Sequence, residues 1–182
     1  MNKLIPVNKD EVERGFKPKY RLEDVWPIAQ EVVGQLRPHC ERAEIVGSVR
    51  RGKEHPSDLE LLLLPSAYDI GLLKHGLPEV VDQWEIIKGK LIPGKTKYTQ
   101  RMHPSGIKLD LFLANETNFG YLQALRTGPV KYNFRLIKQC KDMGFECVDG
   151  YLTRNRKIVP VSTEVEFYRL LDLNWIDPRF RR

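Results

Sequence analysis

Residues 44–65 read EIVGSVRRGKEHPSDLELLLLP. Ala43-Glu44-Ile45-Val46 is a short strand pattern that breaks at Gly47-Ser48, where a glycine lets the backbone approach a ligand closely. A charged loop follows from Arg50 to Pro56, and Leu59 to Leu64 is an apolar run short enough for a buried strand. Asp58 and Glu60 open that run. Residues i and i+2 of a strand point the same way, so both carboxylates face one side while Leu59, Leu61 and Leu63 face a core. A hydroxyl, paired arginines and free amide groups just ahead suit phosphate oxygens.

A third acid appears in residues 106–114, GIKLDLFLA. Lys108, Asp110 and Phe112 share one strand face, with Leu109, Leu111 and Leu113 on the other. Pro104-Ser105-Gly106 is a hairpin turn joining this strand to the one over Lys97–His103. Two acids beside a strand edge are costly unless they meet water, a cation or a metal. Three carboxylates on neighbouring strands beside a phosphate cradle fit a two-magnesium phosphoryl-transfer site. Ions about 3.5–4 Å apart there activate a 3′-hydroxyl and steady a pyrophosphate leaving group.

Around this centre the pattern is α+β. The first twenty residues are polar, with Pro6 and Pro18, and read as an arm. Val25, Ile28, Ala29, Val32, Val33 and Leu36 recur at helical spacing until Pro38. Short helical pieces are predicted over Ala67–Leu72 and Pro78–Trp84, and a strand over Trp84–Ile87. Asn115–Asn118 is polar and marks a boundary between residues 1–118 and 119–182. Beyond it lie predicted helices over Phe119–Leu125 and Pro129–Met143, the second ended by Gly144. A hairpin follows over Phe145–Arg154 and Lys157–Val161. Ser162-Thr163-Glu164 then opens a last helix through Leu171, with hydroxyls to cap it.

Apolar residues make up 41% of the 182 and charged residues 30%, the range of a soluble globular chain. No stretch approaches the roughly 20 apolar residues of a membrane span, so no membrane partner is expected. The N-terminus lacks the apolar core of a secretory signal, which points to a cytoplasmic or viral setting. Cys40, Cys140 and Cys147 lack CxxC spacing and predict neither a disulfide framework nor a thiolate zinc site. His39, His55, His75 and His103 are scattered and predict no metal role. The net charge is +6. Residues 1–118 carry 18 basic against 17 acidic side chains, and residues 119–182 carry 12 against 7, so the last third points to a polyanionic partner.

In this order the motifs resemble those of the family X DNA polymerases, the polymerase beta-like branch of the nucleotidyltransferase superfamily. The family pattern is Gly-Ser, an arginine pair and a glycine, then Asp-x-Asp at a strand start. The chain reads Gly47-Ser48-Val49-Arg50-Arg51-Gly52, then Asp58-Leu59-Glu60. Residues 125–145, LRTGPVKYNFRLIKQCKDMGF, resemble the family's thumb segment in Thr127, Gly128 and Asn133. YRLEDVWPIAQEVVGQL and the C-terminal EVEFYRLLDLNWIDPRFRR also have family counterparts.

The resemblance implies a nucleotidyltransferase palm over 1–118, a mixed β-sheet flanked by helices, and a small thumb of helices and a hairpin over 119–182. Asp58, Glu60 and Asp110 would be catalytic and hold Mg2+ or Mn2+, with Asp110 nearest the primer hydroxyl. Gly47, Ser48, Arg51 and the backbone at Ser57 would meet the triphosphate. Thr127, Gly128 and Asn133 would complete the nucleotide site, Asn133 at the minor-groove edge of the base. The activity implied is DNA-directed addition of nucleotides from nucleoside triphosphates, filling short gaps in duplex DNA with a recessed primer, by a monomer.

The chain departs from the family at Glu60, where polymerases have aspartate, at Leu125-Arg126 in place of an aromatic pair that selects deoxyribose, and at Pro129 in place of serine. It has no room for a lyase domain or fingers. Three other readings stay open: nucleotide transfer to RNA or a small molecule, template-independent end addition, and a DNA-binding module without catalysis.

Overall fold

The computed structural model describes residues 3–66, 76–92 and 94–182. It is α+β: a mixed five-stranded sheet flanked by helices, followed by helices around a small antiparallel three-stranded sheet. The elements are α1 (Lys9–Glu13), α2 (Leu22–Leu36), β1 (Cys40–Ile45), α3 (Gly47–Arg50), β2 (Asp58–Pro65), α4 (Leu77–Val81), β3 (Glu85–Lys88), β4 (Tyr98–Met102) and β5 (Lys108–Leu113). Then come α5 (Phe119–Thr127), α6 (Val130–Asp142), β6 (Glu146–Val148), β7 (Tyr151–Arg154), β8 (Lys157–Ile158) and α7 (Glu164–Leu170). The helix predicted over Ala67–Leu72 lies outside the described residues. The predicted polar arm contains α1, and the predicted hairpin is a three-stranded sheet.

The large sheet runs β1-β2-β5-β4-β3, with β2 and β5 parallel and the other pairs antiparallel. Val25, Ala29, Val32, Val33 and Leu36 form the buried stripe of α2, packed with Leu59, Leu61, Leu63, Leu109 and Leu111 from one sheet face. On the other face Leu62 and Leu64 of β2 and Phe112 of β5 meet Val46 and Phe119. So β2 is covered on both faces from Leu62 onward, while the same face is acidic at Asp58 and Glu60. The cover stops where the acids begin. A separate core of Tyr121, Ala124, Tyr132, Leu136, Cys140, Phe145, Leu152, Val161, Phe167 and Tyr168 lies after residue 118.

Thr163 and Glu166 close a reciprocal capping box at the start of α7. The next residue, Glu164, ties the two halves together. Its carboxylate is 4% exposed and accepts from both terminal guanidinium nitrogens of Arg50, at 3.0 and 2.8 Å, from the end of α3. It also accepts Arg181 Nη1 at 2.8 Å and the Trp175 indole N–H at 2.8 Å. Burial alone raises its pKa, but hydrogen bonds from Arg50, then Arg181, hold it below the usual carboxylate range. A carboxylate whose pKa is lowered on folding contributes stability above its unfolded pKa of 4.5 and loses it as pH falls through the folded value. Glu164→Ala is expected to cost about 3–5 kcal/mol in urea unfolding at pH 7, since it strands buried arginine charge. Glu164→Gln should flatten the loss of stability below pH 4.5. A wild-type acid limb unchanged in Glu164→Gln would show that other carboxylates carry it.

Candidate functional site

The parallel register of β2 and β5 sets Glu60 beside Asp110 and Asp58 beside Lys108. Period-two alternation turns all three acids to the face that α5 leaves uncovered, where each is half-buried. Burial first, then the charges of Asp58 and Asp110, push Glu60 up to about 7, against a Ser48 N–H and Arg51 that pull it down. Asp58 is raised too, by burial and then by Asp110, although Lys17, Lys108 and Lys53 oppose the shift. In both residues burial is the larger cause, and the neighbouring carboxylates add to it.

Gly47 lies against this cluster. Its φ is +65°, and a Cβ there would stand 1.6 Å from Glu60 Oε2, so only glycine fits. The Ser48 N–H donates to that same oxygen at 3.3 Å. Ser48 Oγ is buried and has no hydrogen-bond partner among the described residues. Such a group is costly unless a ligand meets it. The strand break expected at Gly47-Ser48 opens the short helix α3 (Gly47–Arg50), whose last residue is the first of the loop predicted over Arg50–Pro56.

The arginine pair divides its work. Arg50 bonds Glu164 and, at 2.5 Å, Thr127 Oγ1. Arg51 Nη1 donates to the Thr127 carbonyl. Burial lowers the Arg51 pKa; Glu60 and Asp58 oppose that, and Arg181 adds to it. Thr127 is fully buried, and its hydroxyl donates to the Gln123 carbonyl at 2.6 Å, so its side chain is an anchor between the halves. Gly128, at φ +68°, leaves room for Arg51: a Cβ would stand 3.0 Å from Nη1. Asn133 Nδ2 donates to the Leu125 carbonyl at 2.5 Å, and its Oδ1 is buried without a partner among the described residues. Ser57 lies half-buried beside Asp58. Gly47, Ser48 and Glu60 thus adjoin one another, and Arg51, which feels the charge of Glu60 and Asp58, is in contact with Thr127-Gly128.

Sequence reasoning missed two residues of the site. Tyr98 Oη and Gln100 Nε2 both donate to Asp110 Oδ1, each at 2.6 Å. Burial first, then Asp110, raises the Tyr98 pKa, so the phenol stays a donor. Tyr98 stacks on Phe112 with ring centroids 5.1 Å apart, and the Arg126 guanidinium lies 4.1 Å over the Phe112 ring. Arg126, which stands with Leu125 where the family has an aromatic pair, is held on this aromatic surface. From Phe112 and Arg126 a groove of about 630 Å3 leads away past Leu122, Asn118 and Tyr151.

Asp58, Glu60 and Asp110 offer hard oxygen donors of net negative charge, the set that magnesium and manganese take. Among the described residues no group of three or more His, Cys, Asp and Glu side chains has its donors gathered around one point. Glu60 Oε2 is turned to Ser48, and Asp110 Oδ1 to Tyr98 and Gln100. Among the described residues no helix is long and apolar enough to cross a membrane. No protein-family model matches the chain, and no curated protein matches it in sequence.

The raised Glu60 gives a signed pH dependence. Between its unfolded value of 4.5 and about 7 the folded chain holds a proton that the unfolded chain releases. Stability is therefore expected to fall as pH rises through that window. Glu60→Gln should melt higher than wild type at pH 8 and show a shallower decline from pH 5 to 8, with Asp58 supplying what remains. A steeper decline in Glu60→Gln would place the raised proton elsewhere.

Proposed function

We propose that the chain adds nucleotides from nucleoside triphosphates to a DNA primer 3′-hydroxyl, as a palm-and-thumb polymerase of the family X type. The observation that carries the reading is the juxtaposition of three half-buried carboxylates on adjacent parallel strands with a glycine-serine turn whose hydroxyl is buried and unpartnered among the described residues. Phosphoryl transfer needs both parts: oxygen ligands for divalent cations and donors for phosphate oxygens. The basic excess after residue 118 supports a nucleic-acid partner on that side.

Magnesium or manganese bound by Asp58, Glu60 and Asp110 supplies the positive charge that the attacking and leaving oxygens need. The chain's residues do the rest. Ser48 Oγ donates to a phosphate oxygen, and Arg51, already beside Glu60 and Asp58, balances the charge on the triphosphate. Asp110 lies nearest the primer hydroxyl and takes its proton at a carboxylate oxygen. Asn133 Oδ1, unpartnered in its buried position, accepts from the base or sugar edge. Gly128 keeps the backbone clear of Arg51, whose Nη1 rests on the Thr127 carbonyl.

Asp58→Asn and Asp110→Asn test this directly. Each keeps the shape of the side chain and loses the charge that binds the cation. Primer extension on gapped duplex is expected to fall by at least about 10²-fold in either variant, with melting temperature unchanged or raised. Near-normal extension by either variant would remove the two-metal reading. Running the same assay without template, with RNA primers and with ribonucleotides separates gap filling from end addition and RNA transfer. No incorporation by the wild type on any of these acceptors would leave transfer to a small molecule or binding without catalysis.

A further inference from the structure

The antiparallel register of β4 and β5 pairs Gln100 with Asp110 and Tyr98 with Phe112, so Tyr98 and Gln100 share the acid face. Both reach the same oxygen. A carboxylate oxygen accepts along two lone-pair directions. Oδ1 of Asp110 receives Tyr98 Oη at 2.6 Å and Gln100 Nε2 at 2.6 Å, so both are filled. Among the described residues no hydrogen bond reaches Oδ2. Tyr98 is itself fixed: it is stacked on Phe112 at 5.1 Å, with Lys88 Nζ from the neighbouring strand 5.9 Å from its ring centroid.

We infer that Tyr98 and Gln100 are positioning residues for Asp110, saturating Oδ1 so that Oδ2 alone is presented to a divalent cation and to the reacting hydroxyl. The inference rests on the nucleotidyl-transfer reading above and assigns to it a part of the site outside the three acids. Its physical content is rotational. A lone aspartate turns about its Cβ–Cγ bond and offers either oxygen, whereas two donors on one oxygen remove that freedom. Two donors also stabilise the negative charge on the oxygen that they reach.

The test uses the full chain and manganese as the probe. Tyr98→Phe keeps the ring and its stack on Phe112 and deletes one donor. Gln100→Leu deletes the other from a different residue, so a folding defect in one leaves the second. Manganese binding is followed by the electron paramagnetic resonance signal of the free ion, and primer extension gives kcat and KM separately. Each variant is expected to bind manganese about 10- to 100-fold more weakly. Its kcat should fall while the nucleotide KM stays within about two-fold, because the lost contact acts on the reacting atoms. In an Asp110→Asn background, Tyr98→Phe should cost nothing further, since the donor acts through that carboxylate.

Variants that bind manganese as tightly as wild type overturn the inference. So does an equal further loss in the Asp110→Asn background. When these results accompany a wild type that extends primers, the positioning role alone fails. A wild type that neither binds manganese nor extends primers removes the nucleotidyl-transfer reading and this inference with it.

Discussion

Glu164 is a buried charge on which the two halves of the molecule converge. Its carboxylate, nearly out of reach of solvent, receives Arg50 from α3, Arg181 from the C-terminal tail and the Trp175 indole. An ion pair taken out of water gives little net stability compared with apolar packing, but breaking one is expensive. Its value here is geometric. Arg50 is adjacent to Arg51, and Arg51 reaches the Thr127 carbonyl while lying beside Glu60 and Asp58. Holding Arg50 therefore holds the next residue, and with it the spacing between the acid face and the α5–α6 junction.

The acid face owes its openness to where α5 crosses the sheet. Phe119 covers Leu62 and Leu64, and the strand face beyond them toward Asp58 is left bare. A carboxylate placed under Phe119 would be desolvated without a partner. One placed two or four residues earlier is only half-buried, so it keeps some water while its pKa rises. Apolar cover thus sets both the place of the site and its charge state. Phe112 belongs to the same face as Asp110 and carries Tyr98 on one side of the boundary and Arg126 on the other.

Much of this was legible in the sequence because it is local. The alternation in residues 58–64 and 108–113 placed all three acids on one face, and the structure keeps that placement. The hairpin at Pro104-Ser105-Gly106 even fixes a register: a turn centred on Ser105 pairs Gln100 with Asp110. Tyr98 and Gln100 were therefore within reach of the same reasoning, and their polarity on a strand was the signal. What no local pattern carries is the reach of a side chain across the chain. Arg50 and Glu164 are separated by 114 positions, and nothing in either neighbourhood announces the other. Without that contact the arginine pair reads as two phosphate ligands, whereas the fold spends Arg50 on Glu164 and Thr127.

Glu60 illustrates how one methylene redistributes a site. Its Oε2 reaches the Ser48 N–H and lies where a Cβ of residue 47 would stand, so the glycine and the glutamate occupy one space between them. An aspartate at position 60 would end about one carbon–carbon bond, roughly 1.5 Å, farther from Ser48. At a hydrogen bond already 3.3 Å long, that distance ends the contact. The longer acid thus couples the carboxylate cluster to the turn that carries the unpartnered Ser48 hydroxyl. On the proposed reading, a cation held by Glu60 with Asp58 and Asp110 would offset the repulsion that helps raise Glu60 and would compete with the Ser48 amide for its carboxylate. The Ser48 N–H and its buried, unpartnered hydroxyl would then both face an incoming phosphate oxygen, so that the cation and anion parts of the site would be linked through Glu60.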